Sequence, residues 1–115
     1  MITVDPAGAL APYEQIRVQL ADGIRSGELG DGHRLPSIRQ LAGDLRVAAG
    51  TVAKAYALLE QEGLVETSRA TGTRVTAGQA HSDAVREAAR AFAMAAEGLS
   101  LEQALGAVRA VWATR

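Results

Sequence analysis

Residues 35–63 decide the fold, and they read LPSIRQLAGDLRVAAGTVAKAYALLEQEG. Ser37 and Gln40 form the Ser-x-x-Gln pattern of a capping box, which marks the start of a helix. Apolar residues then recur at helical spacing in two blocks, and the second block ends at Gly63, a typical left-handed stop. The first block ends at about Leu45. Two helices joined by so short a turn are a candidate helix-turn-helix.

A third helix is predicted on the N-terminal side of this motif, from Pro12 to about Ser26. Pro12 suits the first helical position, and apolar residues follow at spacings of three, four and four. The side chains expected to line the core on the three helices are Tyr13, Ile16, Leu20, Ile24, Ile38, Leu41, Ala42, Leu45, Val52, Ala55, Tyr56 and Leu59. In front of this helix, residues 1–5 alternate weakly between apolar and polar and predict a short edge strand.

A β-hairpin is predicted after Gly63. Residues 64–68 and 73–77 are rich in Val and Thr, and they flank a short turn at residues 69–72. A hairpin that follows a helix-turn-helix is called a wing. The order of these elements therefore predicts a winged helix-turn-helix.

The C-terminal tail returns to a helical pattern. One helix is predicted from about Ser82 to Glu97, and a second begins at Ser100 in another Ser-x-x-Gln capping box. Two short amphipathic helices cannot enclose a core of their own, so we expect them to pack on a second copy of the chain. The residues expected in this contact are Val85, Phe92, Leu101, Leu105, Val108 and Trp112.

The predicted fold is therefore mainly α with a small β-hairpin. We expect residues 1–77 to form a winged helix-turn-helix domain and residues 78–115 to form a two-helix dimerisation segment, in which an effector could also bind. Only 3% of the 115 residues are aromatic, although 48% are hydrophobic. Small side chains remove little area from water when they are buried, which makes a lone monomer marginal and favours an oligomer.

Composition excludes several classes of protein. The chain has no cysteine, so it has neither disulfides nor cysteine-ligated metal. No apolar run is long enough to span a membrane and no signal peptide is recognisable, so we expect a cytoplasmic protein with no membrane partner. The net charge of −1 does not by itself indicate a nucleic-acid partner. Any such indication must come from the positions of the basic residues.

Neither catalysis nor metal binding is predicted. The sequence shows no nucleophile beside a base, no paired carboxylates in an apolar setting and no glycine-rich phosphate loop. His33 and His81 lie in a loop and a linker without a second ligand at metal spacing. We therefore expect no enzyme activity, no metal and no cofactor.

Several ordered blocks of the sequence closely resemble the DNA-binding domain of the GntR family of bacterial transcription regulators. These blocks are Pro12-Tyr13-x-Gln15-Ile16, Gly27-x-Leu29, Leu35-Pro36-Ser37-x-Arg39-x-Leu41-Ala42, Thr51-Val52-x-Lys54-Ala55-Tyr56-x-x-Leu59-Glu60-x-Glu62-Gly63-Leu64-Val65 and Gly72-Thr73-x-Val75. The short two-helix tail further resembles the YtrA-type subgroup, whose members are homodimers often linked to the control of transporter operons. The resemblance covers roughly residues 12–75.

The basic and small polar residues of these blocks are placed as DNA binding requires. In a helix-turn-helix the second helix of the motif enters the major groove through its N-terminal turn, and the first crosses the phosphate backbone. Unpaired N–H groups at helix N-termini attract phosphates, and arginine suits a narrow minor groove. The residues expected to contact DNA are Ser37, Arg39, Arg46, Ala49, Gly50, Thr51, Lys54, Arg69, Thr71, Gly72 and Thr73.

The turn into the recognition helix departs from the family pattern. The family usually has Gly, then Ser or Asn, then Arg where this chain has Arg46, Ala48 and Ala49, and a polar residue where it has Gly50. Further departures are Ala53 at a position that is often basic, Ala70 for Gly and Arg74 for Phe. Side chains that would hydrogen-bond base edges are thus largely missing, and each lost bidentate contact removes about 1–3 kcal/mol of base discrimination.

The resemblance implies a sequence-specific transcriptional regulator, of the repressor kind, that binds an inverted-repeat operator in double-stranded DNA as a homodimer. It also implies control of the chain's own operon and of a transporter operon, with an unidentified small molecule as effector. Two alternatives remain open at this point. One is a winged helix that binds another protein, which the alanines at the recognition turn favour. The other is a DNA binder that recognises DNA shape and has little base preference.

Overall fold

The computed structural model describes residues 2–115. These residues divide after His81 into two compact units, which are described separately below. Met1, the first residue of the predicted edge strand, lies outside the described residues. No helix in the described part of the chain is long and apolar enough to cross a membrane.

The first unit is a winged helix-turn-helix, as the sequence predicts. Its elements are α1 (Pro12–Arg25), α2 (Ile38–Leu45), α3 (Ala49–Gln61), β1 (Val65–Ser68) and β2 (Gly72–Val75). The two strands form an antiparallel hairpin, the wing, in which Val65 pairs with Val75 and Ser68 pairs with Gly72. α3 packs against α1, α2 and β1 and is therefore the central element of the unit.

A single core holds these elements together. Its buried residues come from all three helices, from the segment before α2 and from the wing: Ile16, Leu20, Ala21, Ile24, Leu35, Leu41, Ala42, Val52, Ala55, Tyr56, Leu59, Leu64, Val65 and Val75. Ile38, which was expected in this core, is instead exposed. It lies in the first turn of α2, one turn before the buried Leu41 and Ala42. Tyr13 was also expected in the core but is only partly buried, and it too lies in the first turn of its helix.

The predicted edge strand at residues 1–5 is wrong for the residues that the structure describes. Residues 2–5 have no strand partner, and side-chain amides of α1 bond to their backbone instead. Gln19 donates to the Thr3 carbonyl at 2.7 Å and accepts from its N–H at 3.0 Å. Gln15 accepts from the Asp5 N–H at 2.8 Å. These amides satisfy backbone groups that a neighbouring strand would otherwise satisfy.

The loop before α2 pairs with the free side of β2, a contact that the sequence did not predict. The Leu35 N–H donates to the Thr73 carbonyl at 2.8 Å, and the Val75 N–H donates to the His33 carbonyl at 2.9 Å. Arg34 thereby forms an isolated bridge with Arg74. Residues 30–36 contain two glycines and a proline, so their composition indicates a loop and conceals this pairing.

The second unit consists of α4 (Asp83–Ala95) and α5 (Leu101–Trp112). The Ser82 side chain caps α4 by accepting from the Val85 N–H at 3.2 Å. α5 begins with the predicted capping box. The Ser100 hydroxyl accepts from the Gln103 N–H at 3.1 Å, and the Gln103 side chain accepts from the Ser100 N–H at 3.0 Å. No residue of Ser82–Arg115 is buried, so this unit has no core of its own.

Candidate nucleic-acid interface

The start of α2 presents Ser37 and Arg39, both exposed. The Ser37 hydroxyl oxygen accepts a hydrogen bond from the Gln40 N–H at 3.1 Å and so caps the helix. A hydroxyl that accepts in this way keeps its own hydrogen, which can be donated to a phosphate oxygen. Ser37 and the guanidinium of Arg39 can therefore neutralise and hydrogen-bond a phosphate at this helix end.

Arg46 forms the turn between α2 and α3 in an uncommon conformation. Its φ of 56° and ψ of 45° lie in the left-handed region, and it is the only residue other than glycine with a positive φ among residues 2–115. Its N–H bonds to the Gly43 carbonyl and the Val47 N–H bonds to the Ala42 carbonyl, which is the pattern of a Schellman motif. The side chain is exposed at the junction of the two helices.

The start of α3 is open to an anion. Ala48 occupies the N-cap position, and no side chain in the described structure caps this helix. Ala49 and Gly50 are exposed, and Thr51 is partly buried. The first N–H groups of a helix lack partners within the helix and carry its positive dipole end. This turn can therefore approach phosphates or bases closely through its backbone.

α3 exposes a narrow face that runs opposite to its buried residues. Gly50, Lys54, Ala57 and Gln61 follow one another at spacings of four, three and four, and all four are exposed. Lys54 is the only charged residue between positions 49 and 59. Its Nζ lies 3.9 Å from the centroid of the Tyr13 ring, at the start of α1. Sequence reasoning assigned Tyr13 to the core and so missed this contact.

A hydrogen bond fixes α3 against the segment that leads into α2. The Tyr56 hydroxyl donates to the Pro36 carbonyl at 2.7 Å, and the tyrosine is almost fully buried. Burial disfavours the phenolate and raises the pKa of Tyr56 to about 12, so the phenol keeps its proton. A neutral donor therefore ties the middle of α3 to the segment that precedes α2.

The wing carries a second group of cations. Arg69 and Thr71 are exposed in the turn between β1 and β2, and Gly72 follows with a φ of 73°. The Arg34 side chain packs against this glycine so closely that a Cβ at position 72 would lie 3.1 Å from the Arg34 Nε. Arg34 thus adds a cation that the sequence motifs did not indicate. What places Arg34 beside the wing is the pairing of its backbone with β2, and no sequence motif indicates that pairing.

Other polar groups of the wing are engaged within the fold. Arg74 donates through Nη1 to the Gly32 carbonyl at 3.0 Å. The Thr73 hydroxyl lies 3.1 Å from that of Thr67, across the hairpin. Glu60, an acid near the end of α3, accepts from the Thr67 N–H at 3.0 Å. Arg74 and Glu60 therefore brace the wing.

The eleven residues expected to contact DNA all lie in the first unit, at the start of α2, at the turn, at the start of α3 and on the wing. The six residues expected at a dimer contact all lie in the second unit, and all six are exposed: Val85, Phe92, Leu101, Leu105, Val108 and Trp112. Met94, Leu99 and Val111 are further exposed apolar residues of that unit.

Comparison with known proteins identifies the first unit. The sequence profile of "Bacterial regulatory proteins, gntR family" matches residues 12–75. The HTH-type transcriptional regulator Rv1152 of Mycobacterium tuberculosis is 40% identical over 100 residues, which cover 87% of this chain and 83% of that protein. The HTH-type transcriptional repressor YtrA of Bacillus subtilis is 41% identical over 76 residues, which cover 66% of this chain and 58% of that protein.

Solved structures agree with this comparison. YtrA from Sulfolobus acidocaldarius, described as a GntR-family transcription factor, has a TM-score of 0.61 and 35% identity and covers 83% of this chain and 95% of that chain. The DNA-binding domain of AraR in complex with operator ORX1 has a TM-score of 0.56 and covers 65% of this chain and 96% of that chain. At 24% identity, that second likeness is one of fold.

Proposed function

Because the chain belongs to the gntR family of bacterial regulatory proteins, we propose that it is a homodimeric repressor that binds an inverted-repeat operator. Its family membership makes it a DNA-binding helix-turn-helix transcriptional regulator and not an enzyme.

The observation that carries the DNA contact is the pair of helix starts at α2 and α3. Ser37 and Arg39 would bind a phosphate where α2 crosses the backbone, and the uncapped first turn of α3 would enter the major groove. Lys54 would reach a phosphate or a base edge from the exposed face of α3. Arg46 would contact a phosphate or a base edge from the turn.

The wing would contact the adjacent minor groove. Arg69 is exposed at its tip, and Thr71, Gly72 and Thr73 continue the turn into β2. The narrow minor groove of A·T-rich sequence has an enhanced negative potential that attracts arginine. Ala49, Gly50 and the glycine of the wing leave room for a close approach of the backbone.

A second copy of the chain would cover the second unit. Helices of 12 and 13 residues without a buried face are marginal in water. Leu101, Leu105, Val108 and Trp112 repeat at spacings of four, three and four, so they form one apolar stripe along α5. A symmetric contact of two such stripes would bury both. An inverted-repeat operator requires the two α3 helices of the dimer to lie about 34–36 Å apart, one turn of DNA.

Repression follows from where such a dimer binds. A dimer on an operator within a promoter excludes RNA polymerase, and YtrA of Bacillus subtilis is named as a repressor. We extend this role to the chain's own operon and to a transporter operon. A small-molecule effector that altered the contact between the two copies would change the spacing of the two α3 helices and release the operator.

Low sequence specificity is the second candidate, and the start of α3 favours it. Ala48, Ala49, Gly50 and Ala53 offer no side-chain group that can hydrogen-bond a base edge. Direct reading of bases would then rest on Arg46, Lys54 and Arg69, with the remainder supplied by DNA shape.

Binding of labelled duplexes decides between these two candidates. A duplex from the region upstream of the chain's own gene is titrated with the protein, with and without an excess of unrelated duplex of equal length. The repressor proposal predicts a complex that survives the competitor. A complex that the competitor removes supports the low-specificity candidate, and no binding at low salt contradicts both.

Arg39→Ala tests the phosphate contact at α2. We expect weaker binding to both duplexes, and a salt dependence of log K flattened by about one unit for each subunit. Arg90→Ala, which removes the same charge from the exposed side of α4, is the control and should leave the salt dependence unchanged. Equal salt slopes for Arg39→Ala and the unmodified protein would exclude Arg39 from the interface.

A further inference from the structure

The contact between Lys54 and Tyr13 joins the recognition helix to the start of α1. The Lys54 Nζ lies 3.9 Å from the centroid of the Tyr13 ring, within the distance of a cation–π interaction. Tyr13 is partly buried, and Lys54 is exposed. The ammonium is therefore held against an aromatic face while remaining open to solvent on its other side.

The ring has a rigid support. Pro12 fixes the backbone at the first position of α1, and Ile16, one turn after Tyr13, is completely buried in the core. α1 and α3 pack directly on each other through this core. Tyr13 and Lys54 thus stand on two elements whose relative position the core determines, and no loop intervenes between them.

This arrangement matters because Lys54 is the only cation of α3. The segment from Ala49 to Leu59 has no other charged residue. A lysine side chain is long and flexible, and fixing it on binding costs rotamer entropy. A ring that already restricts the ammonium lowers that cost, as preorganisation does in any binding site.

We propose that Tyr13 is a positioning residue for DNA binding, whose ring holds the Lys54 ammonium where it meets the DNA. An ammonium over a π face still directs N–H groups away from the ring, and these can be donated to a phosphate or a base edge. The aromatic face performs this role and the phenol hydroxyl does not. The inference rests on the proposed contact between Lys54 and DNA.

Four variants test it, each measured for binding to the upstream duplex and to an unrelated duplex: Tyr13→Phe, Tyr13→Leu, Lys54→Met and the double variant Tyr13→Leu/Lys54→Met. Phenylalanine keeps a π face, so Tyr13→Phe should bind as the unmodified protein does. Tyr13→Leu keeps an apolar side chain without that face and should bind about two- to fivefold more weakly, which is the effect of an exposed cation–π pair. In the Lys54→Met background the same change should have no effect.

The outcomes separate the failure of this inference from the failure of the proposed contact. If Lys54→Met binds as tightly as the unmodified protein, Lys54 does not contact DNA and the underlying proposal fails at this residue. If Lys54→Met weakens binding but Tyr13→Leu does not, or Tyr13→Leu strengthens it, the positioning role is wrong. The role is also wrong if Tyr13→Phe is as weak as Tyr13→Leu, or if Tyr13→Leu weakens binding equally in the Lys54→Met background. Thermal unfolding of each variant identifies any loss that comes from unfolding.

Discussion

Arg46 occupies a backbone conformation that glycine adopts more easily. Its φ of 56° places the Cβ close to the neighbouring carbonyl, which costs an ordinary residue about 1–2 kcal/mol. The gntR family, which this chain resembles in its motifs, usually has glycine at this position of the turn. The chain thus keeps a strained arginine at the point where two helices meet the proposed DNA surface. Strain of this kind is retained where a side chain has another role, and a DNA contact is the role we propose.

Arg46→Gly should separate stability from binding. We expect the free energy of unfolding to rise by a few tenths to about 1 kcal/mol, because relief of the strain exceeds the entropy cost of glycine. DNA binding should weaken, because the guanidinium is lost. Urea unfolding and duplex titration measure the two effects.

Arg46→Ala is the matched control, since it removes the charge and keeps the strain. It should weaken binding as Arg46→Gly does, without the gain in stability. If Arg46→Gly bound DNA as tightly as the unmodified protein, the guanidinium would lie outside the interface and its strain would have no explanation in DNA binding.

The helices were predictable from sequence because their ends carry local signals. Pro12 begins α1, Ser37 and Ser100 cap α2 and α5, and Gly63 follows α3 in the left-handed region. These signals act between residues close in sequence. The pairing of Arg34 with β2 and the capture of residues 2–5 by α1 amides join distant segments of the chain. No local pattern reports such contacts, so neither of them was predictable from the sequence.

Two glycines of the helix-turn-helix should respond oppositely to alanine. Gly43 lies within α2, has open space where a Cβ would lie, and does not have a positive φ. Gly43→Ala should therefore raise the free energy of unfolding by about 0.5–1 kcal/mol, because alanine loses less backbone entropy in a helix. Gly63, which follows α3, has the same open space but a φ of 79°. Gly63→Ala should lower the free energy of unfolding by about 1–2 kcal/mol.

Urea unfolding of the two variants measures this contrast, and each serves as the control for the other. Equal effects of the same sign would mean that backbone conformation does not govern these positions. Neither substitution lies on the exposed face of α3, so duplex binding by the folded protein should stay unchanged.

The two units of the molecule differ in how far they bury their apolar side chains. All fourteen core residues belong to the first unit, whereas the second has none and exposes a continuous apolar stripe on α5. The sequence predicted the helix-turn-helix and the wing that carry the proposed DNA contacts, because these elements follow one another in a characteristic order. It could not predict Arg34 or the Tyr13 ring beside Lys54, because both depend on how separate elements pack. The alanines at the recognition turn offer no side-chain group that can hydrogen-bond a base edge, so they indicate no base preference.

Trp112→Ala tests the dimer. Trp112 is 60% exposed in a single chain, and the apolar stripe of α5 ends with it. If a second copy buries this residue, its truncation should cost about 3–5 kcal/mol and shift the mass observed by light scattering from dimer toward monomer. Leu10→Ala, which truncates an exposed apolar residue of the first unit, is the control and should leave the mass unchanged. A Trp112→Ala dimer of undiminished strength would place Trp112 outside the contact.

The most direct test of a homodimeric operator-binding protein is a hydroxyl-radical footprint on the region upstream of its own gene, in the presence of excess unrelated duplex. Two copies that each insert one α3 predict two protected half-sites in inverted orientation, with centres one helical turn of about 10–10.5 base pairs, or a multiple of it, apart. Protection should disappear as salt rises, because phosphate contacts release counterions. A single protected patch, or protection that the unrelated duplex removes, would contradict a homodimer that reads an operator.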